Sequence, residues 1–408
     1  MGQAATPRYM PDRNDTFYAE LSPALAFYTF FPIWDNSWRL DGHYKSDALK
    51  KVLTYSKAAQ GQSEALIKRQ ITLINKSDIK HRLSITAKSI SPFMTGTGME
   101  HPLENGFAFL QPYGLPYLAG SSIKGVLRNT ARLLADDAFG EGTQGWSYTA
   151  IEVLFGSDDE LTGKEKPDEV RRGALTFWDV IILPKEVDKG GVKTRSLKID
   201  ILTPHQGHYL QGTASPHDSG DPVPVPFLAV GVGAEFNFHI QANPALLDGF
   251  ADTWQTLIEA CFKYTFDWLG FGAKTAVGYG VLKQDEAQAK EAKEAREKAE
   301  AQAKFEADTQ GKSENQKLIA YFKANLPPET TWKGKGPNSG VTIDINGKKY
   351  GFGELCTLVE TWTEKADIQD ALDLFNDKLP IWLGKPISGK NANDTWKKRI
   401  NVLKQKVS

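Results

Sequence analysis

The chain has 408 residues, enough for two or three domains that each bury a core of their own. Its hydrophobic share of 40% and charged share of 24% are ordinary for a soluble globular protein, and no run approaches the roughly 18 apolar residues of a membrane span. With 49 basic against 50 acidic residues the net charge is −1, which argues against a free-standing, uniformly basic nucleic-acid binder. A chain that meets RNA through one groove and proteins elsewhere still fits. Cys261 and Cys356 stand far apart in apolar helical contexts, so core packing in a reducing compartment is expected of both. The first residues lack an apolar signal region, and a cytoplasmic protein is expected.

Residues 1–20 are polar and contain proline, which predicts irregular structure. From 23 to 74 the pattern is mostly helical, with one run opening at Ser46. Residues 82–90 alternate, placing Leu83, Ile85, Ala87 and Ser89 on one side of a strand. A glycine loop at 95–98 follows. A helix is then predicted from about 121 to 135, with Ser121 or Ser122 as its N-cap. Strands are expected at 174–183, 197–202 and 225–240, the last broken by Gly231 and Gly233. A helix with its apolar stripe on Leu246, Phe250, Trp254, Leu257, Cys261 and Phe262 runs towards Leu269. A glycine loop and a short strand, Val281 to Lys283, close this part. The order is β-α-β-β-α-β, the pattern of an α+β, ferredoxin-like, RNA-recognition-type domain over 81–283, with residues 1–80 as a helical elaboration.

Composition changes abruptly at Gln284. Residues 285–307 are strong helix formers with many i,i+4 charge pairs and almost no large apolar side chain. The expectation for 284–310 is a charged helical linker, solvated and about 35 Å long. Residues 311–408 regain a core set that includes Leu318, Phe322, Trp362, Phe375 and Trp382. They predict a small, mostly helical module with a hairpin turning at Asn346-Gly. It carries 16 Lys and Arg against 11 Asp and Glu, an excess of about five positive charges.

Two segments carry chemistry. "GFGAKTAVGYG" at 270–280 combines four glycines with Lys274 and Tyr279. Glycine permits positive φ and close approach, so successive N–H groups can converge on an anion, while Lys274 adds charge and Tyr279 a stacking face. The plainer alternative is a tight helix-to-strand turn that needs glycine for geometry alone. "GSSIKGVLR" at 120–128 puts Ser121 and Ser122 at a helix N-terminus, where the dipole favours phosphate, and sets Lys124 and Arg128 on one face. It is not a Walker A loop, because no glycine precedes the lysine and no Ser or Thr follows it. An ordinary capped helix with a solvated basic face is the alternative. In a ferredoxin-like order both segments can lie at one edge of the same sheet.

A first strand leading to Gly96 and Gly98, then "PYLAGSSIKGVLR", then "GFGAKTAVGYG", resembles the RAMP superfamily of CRISPR RNA-binding proteins. "DILTPHQGHY" at 200–209, the proline-rich 222–226 and "FLAVGVGAEFNF" at 227–238 narrow the resemblance to the subunit-6 family of type III-B Cmr complexes. It covers about 80–283 and stops at the charged helix. The resemblance implies a non-catalytic structural subunit near the 3′ end of a guide RNA, packed on backbone RAMP and small helical subunits, with guide and target RNA as partners. Carried onto this chain, it implies RNA contacts at Gly120, Ser121, Ser122, Lys124 and Arg128. From the second motif it implies Phe271, Gly272, Ala273, Lys274, Thr275, Gly278 and Tyr279, with Phe271 and Tyr279 equally open to a core role. In the Thr203-Pro204-His205 signature, His205 and Tyr209 are expected to contact RNA or support structure.

No metal site, cofactor or catalytic residue is expected. His205 and His208 lack a third ligand at zinc spacing. The competing reading is a RAMP endoribonuclease that processes precursor RNA with His205 or His101 as acid/base. RAMP subunits that cut target RNA carry an aspartate in the loop after the first strand. Here the 91–102 loop has Glu100 and His101 instead. A nucleotide-binding enzyme ranks third, because no Mg²⁺-ligating aspartate follows a strand in the expected place.

Overall fold

The computed structural model describes residues 2–5, 15–53, 55–157, 171–189, 192–203, 209, 212–213, 215, 224–345, 347–389 and 392–408. The Thr-Pro-His signature beyond Thr203, His208, residues 222 and 223 of the proline-rich stretch and Asn346 therefore lie outside the described residues. The protein is a mixed helix and sheet structure with antiparallel sheets, and it divides into two compact units, Met1–Arg296 and Glu297–Ser408.

The first unit is built on a four-stranded antiparallel sheet. The strand Arg82–Ser89 forms because its residues alternate, and Leu83, Ile85, Ala87 and Ser89 are all buried. Glu235–Ala242 pairs with it from Glu235 to Gln241 in the register Ile85↔Phe238 and Leu83↔Ile240, so matched apolar residues share one face. Leu282–Gln284 pairs on the other side through Ser89↔Leu282, and Leu175–Phe177 forms the far edge through Ile240↔Phe177. In chain order these strands are seated 4-1-3-2. The helices Gly120–Ala135 and Trp254–Tyr264 fall between the first and second and between the third and fourth. They contribute Ile123, Leu127, Leu134, Leu257, Ile258 and Phe262 to a common core, in which the rings of Phe238 and Phe262 meet edge-on at 5.0 Å. The opposite face is polar: Ser84 bonds His239 and Thr86 bonds Asn237.

Several predicted strands divide more finely. Residues 174–183 give Leu175–Phe177 to the main sheet and Val180–Ile181 to a separate three-stranded sheet with Phe109–Leu110 and Leu115–Leu118. Residues 225–240 split at Gly231 and Gly233 into Val225–Ala229, which pairs with Lys198–Leu202, and Glu235–Ala242. The helix predicted from Leu246 starts only at Trp254, after a 3-10 turn at Pro244–Leu246.

Residues 23–74 are helical in pieces: a π turn at Leu25–Thr29, then the helices Lys45–Val52 and Lys57–Ile74. Phe27, Phe31, Ile33 and Val52 join the core of the sheet, so this elaboration is not a separate body. Ser56 caps the Lys57–Ile74 helix, and Gln70 on that helix donates to the Asp179 carbonyl. Asp179 matters below.

Glu286–Asp308 is one continuous helix with mostly exposed side chains. Its first half is not fully solvated, since the guanidinium of Arg296 bonds Glu259 at 3.0 Å. The second unit has its own core of Phe322, Trp332, Phe352, Leu355, Phe375 and Leu379, among others. Its helices are Glu314–Ala324, Phe352–Val359, Lys365–Leu383 and Asp394–Val407, with a hairpin of Ile343–Ile345 and Lys348–Tyr350. Ser313 and Gln316 form a capping box, and the buried Asp367 accepts from Ser313 at 2.6 Å and Asn315 at 2.7 Å.

Candidate nucleic-acid interface

The Gly120–Ala135 helix begins one residue earlier than expected, and neither serine caps it. Ala119 is the N-cap and contributes no side-chain bond. The reason is tertiary. Gly120 passes so close to the Phe177 carbonyl that a Cβ there would sit 2.1 Å from its oxygen. Asp179 supplies the acceptor that a serine would otherwise provide, taking the Gly120 N–H at 2.7 Å. Ser121 and Ser122 are exposed just inside the helix, where their hydroxyls could meet a ligand.

Lys124, one turn on, is half-buried, and its amine is pulled below the usual lysine range by burial first, then by Arg128 and Arg172. Those two guanidiniums therefore lie close enough to raise the local positive potential. Arg128 is partly committed to the fold, since its Nη2 donates to the Gly156 carbonyl at 2.7 Å. The exposed Arg172 is a candidate contact that the sequence reading missed. Its only local signal is the Arg171-Arg172 doublet ahead of the Leu175–Phe177 strand.

The 270–280 loop is primarily a backbone device. All four glycines have positive φ, from 72° to 92°. A Cβ on Gly280 would lie 1.8 Å from the Phe271 carbonyl oxygen, and one on Gly272 would lie 2.3 Å from that of Met94. The expected cradle of converging N–H groups is only partial. Phe271 N–H bonds Gly280 O, Ala273 N–H bonds Met94 O and Gly280 N–H bonds Pro92 O, all at 2.8–2.9 Å. The N–H groups of Val277, Gly278 and Tyr279 turn back onto Lys274 and Thr275. Glycine is required here mainly so that the loop can lie flat on the end of the first strand.

Phe271 is not a stacking residue. It is 0% exposed and packs on Phe238 at 5.1 Å, with Phe262 and Phe266 around it. Tyr279 is half-buried against Phe227, at 5.9 Å, and burial and the Asp200 carboxylate raise its phenol above the usual range. Gly278 is exposed, and Ala273 and Thr275 are half-buried. Lys274 has φ 60° and ψ 32°, left-handed backbone in a residue that is not glycine, and precedes the 3-10 turn Thr275–Val277. Trp268, which the sequence reading placed only within a helix, is 67% exposed just before the loop. Phe139 lies beneath it at 6.3 Å.

The two motifs do not share a sheet edge. The helix start lies against Phe177 of one edge strand, while the glycine loop feeds Leu282–Gln284 at the other. Three strand spacings of about 4.8 Å separate those edges.

Of the histidines, His101 is half-buried against the core. Its ring stacks on Phe27 at 3.7 Å, its Nε2 donates to the Phe27 carbonyl at 3.0 Å and its Nδ1 accepts the Leu103 N–H at 3.1 Å. Burial lowers its pKa to about 4, so it is neutral and fully engaged. Its neighbour Glu100 is exposed. His205 lies outside the described residues, and Tyr209 is 51% exposed. Among the described residues no group of three or more His, Cys, Asp or Glu side chains is placed to hold a metal ion. A groove of about 430 Å³ lies away from both motifs, between Ser84 on the first strand and Ala292 and Arg296 on the charged helix. No helix among the described residues is long and apolar enough to cross a membrane.

Residues 86–283 match the family model of the RAMP superfamily. The curated CRISPR system Cmr subunit Cmr6 of Pyrococcus furiosus is 26% identical over 244 residues, which is 50% of this chain and 68% of that protein. Among solved structures, one similar chain comes from a type III-B Cmr-beta complex bound to cognate target RNA. It is 17% identical with a TM-score of 0.40, covering 60% of this chain and 72% of that one. The crystal structure of Cmr6 from Pyrococcus furiosus is 24% identical with a TM-score of 0.27, covering 50% of this chain and 98% of that one.

Proposed function

Taking residues 86–283 as the RAMP-superfamily domain that the family model matches, we propose that this chain is a subunit of a type III-B CRISPR interference complex. In this reading it is a non-catalytic, cytoplasmic RNA-binding subunit that contacts guide RNA near its 3′ end, lies beside target RNA and packs on backbone RAMP and small helical subunits. The observation that carries the reading is the 244-residue likeness to a Cmr subunit. The antiparallel 4-1-3-2 seating with its two crossover helices supports taking the domain as ferredoxin-like. The grip is then two basic points: Lys124 with Arg172 at the helix start, and Lys274 on the glycine loop. The helix start is level with the beginning of the first strand, through Phe177↔Ile240↔Leu83, and the glycine loop with its end, through Ser89↔Leu282, so a single strand of RNA reaching both would cross the sheet diagonally. With a net charge of −1, attraction is local and the remaining surface is available to protein neighbours.

Changing Lys124→Ala together with Lys274→Ala tests this. Two phosphate contacts at about 0.7 each should lower the slope of log affinity against log salt by about 1.4 on single-stranded RNA. An unchanged affinity across the salt series would overturn the assignment.

The endoribonuclease reading loses His101, which is neutral, half-buried and bonded at both ring nitrogens. It retains His205. Metal-independent cleavage of labelled repeat RNA that disappears in His205→Ala would establish it in place of the structural role.

A further inference from the structure

The positive balance of the second unit is unevenly distributed. Six of the eleven carboxylates of residues 311–408 fall between 360 and 377. In contrast, residues 330–343 carry Lys333 and Lys335 with no Asp or Glu, and residues 378–393 carry Lys378, Lys385 and Lys390 with none.

The fold joins these two acid-free segments. The Gly334 N–H bonds the Ile381 carbonyl at 2.9 Å, and a Cβ on Gly384 would sit 3.1 Å from the Cα of Gly334. Both glycines have positive φ, 73° and 64°, so the loops can touch backbone to backbone. The Trp382 indole N–H donates to Ser339 at 2.8 Å and fixes the same junction from below. Lys397 reaches the Gly389 carbonyl at 3.2 Å, bringing the start of the last helix to this end.

Lys333, Lys335 and Lys385 are exposed, and none of them has a carboxylate within ion-pair distance among the described residues. Lys378, by comparison, is paired with Glu329 at 2.9 Å. The partial negative charge at the C-terminus of the Lys365–Leu383 helix, about half a unit, offsets only a fraction of this cluster.

We propose that this lysine-bearing end is a second RNA-binding surface, taking the phosphodiester backbone of a single strand without regard to base. A protein partner is disfavoured by the absence of an apolar anchor. Trp332, Trp382 and Trp396 are buried, and Val402 is the one exposed large hydrophobic residue of this unit among those described. The same burial removes any stacking platform, so the contact reads charge and not sequence. The inference rests on the reading of the chain as RNA-binding.

The test uses the full chain, fluorescein-labelled oligouridine and oligocytidine, and anisotropy across a salt series. Lys333→Ala, Lys335→Ala and Lys385→Ala combined should lower the salt slope by about 2, equally for both oligonucleotides. An unchanged slope overturns the proposal, as does a loss confined to one base. Loss of co-purification with neighbouring complex subunits at unchanged RNA slope would also overturn it, in favour of an acidic protein partner. The Lys124→Ala, Lys274→Ala variant run in parallel keeps the two readings apart. If only the C-terminal triple variant loses slope, this surface stands and the grip on the first unit falls.

Discussion

The carboxylate of Asp179 accepts the Gly120 N–H at 2.7 Å, so the helix start proposed to meet phosphate already carries an anion. A phosphate must share that end with Asp179, and Lys124, Arg128 and Arg172 supply the charge that makes sharing feasible. Asp179→Asn keeps an acceptor for the N–H but removes the negative charge. RNA affinity should rise several-fold at low salt, while stability falls by about 0.5–1 kcal/mol through the weaker cap. Parallel RNA titration and urea unfolding check both halves, and weaker RNA binding would show that Asp179 orders the site.

The glycines of the 270–280 loop should separate sharply. Gly278→Ala introduces a Cβ with nothing within 4 Å, at φ 92°, and should cost about 1–2 kcal/mol for backbone conformation alone. Gly280→Ala would force a Cβ to 1.8 Å from the Phe271 oxygen, and should prevent this loop from closing or leave the chain insoluble. Urea midpoints of the two variants, if equal, would show that close approach is not the reason for the glycine.

Phe271→Ala should cost about 3–5 kcal/mol by opening a cavity between Phe238, Phe262 and Phe266. RNA affinity per folded molecule should stay unchanged. A variant with native stability and weak RNA binding would return Phe271 to the interface.

Stability should fall with acid through two histidines, one buried and one half-buried. His101 and His239 are both lowered to about 4 by burial, against an ordinary value of 6.5. The unfolded chain then binds protons that the folded chain refuses, so their contribution is complete above about pH 6.5 and is lost as pH falls towards 4. His239, whose Nδ1 meets Ser84 at 2.9 Å, is the deeper of the two. His239→Gln should flatten the urea midpoint between pH 6.5 and 4, and an equally steep curve in that variant would assign the effect elsewhere.

Asp367→Ala removes the acceptor of both Ser313 and Asn315 inside the second unit. Leaving those donors unsatisfied should cost about 1–3 kcal/mol, expressed in the unfolding of residues 297–408 and not of the first unit. Hydrogen exchange resolved by peptide distinguishes the two.

The elements that could be read from sequence were those whose pattern is local. The 82–89 strand and the apolar stripe around Cys261 follow from period alone, and both cysteines are buried as expected. The helix cap was misread because its acceptor, Asp179, comes from a distant segment held by Gln70. The glycine loop was only half legible, since converging N–H groups and close backbone approach demand the same composition. Phe271 and Tyr279 look alike in sequence, and only packing makes one fully buried and leaves the other half-covered. Arg172 and Trp268 offered no motif at all.

Lys274 also bears on how the loop could be engineered. At φ 60° a side chain disfavours the backbone by about 1 kcal/mol relative to glycine. A loop optimised for thermal endurance alone would therefore place glycine there, as it does at the four neighbouring turns. Lys274→Gly should make the protein harder to melt and poorer at holding RNA, so any screen that rewards heat resistance will tend to discard this cation.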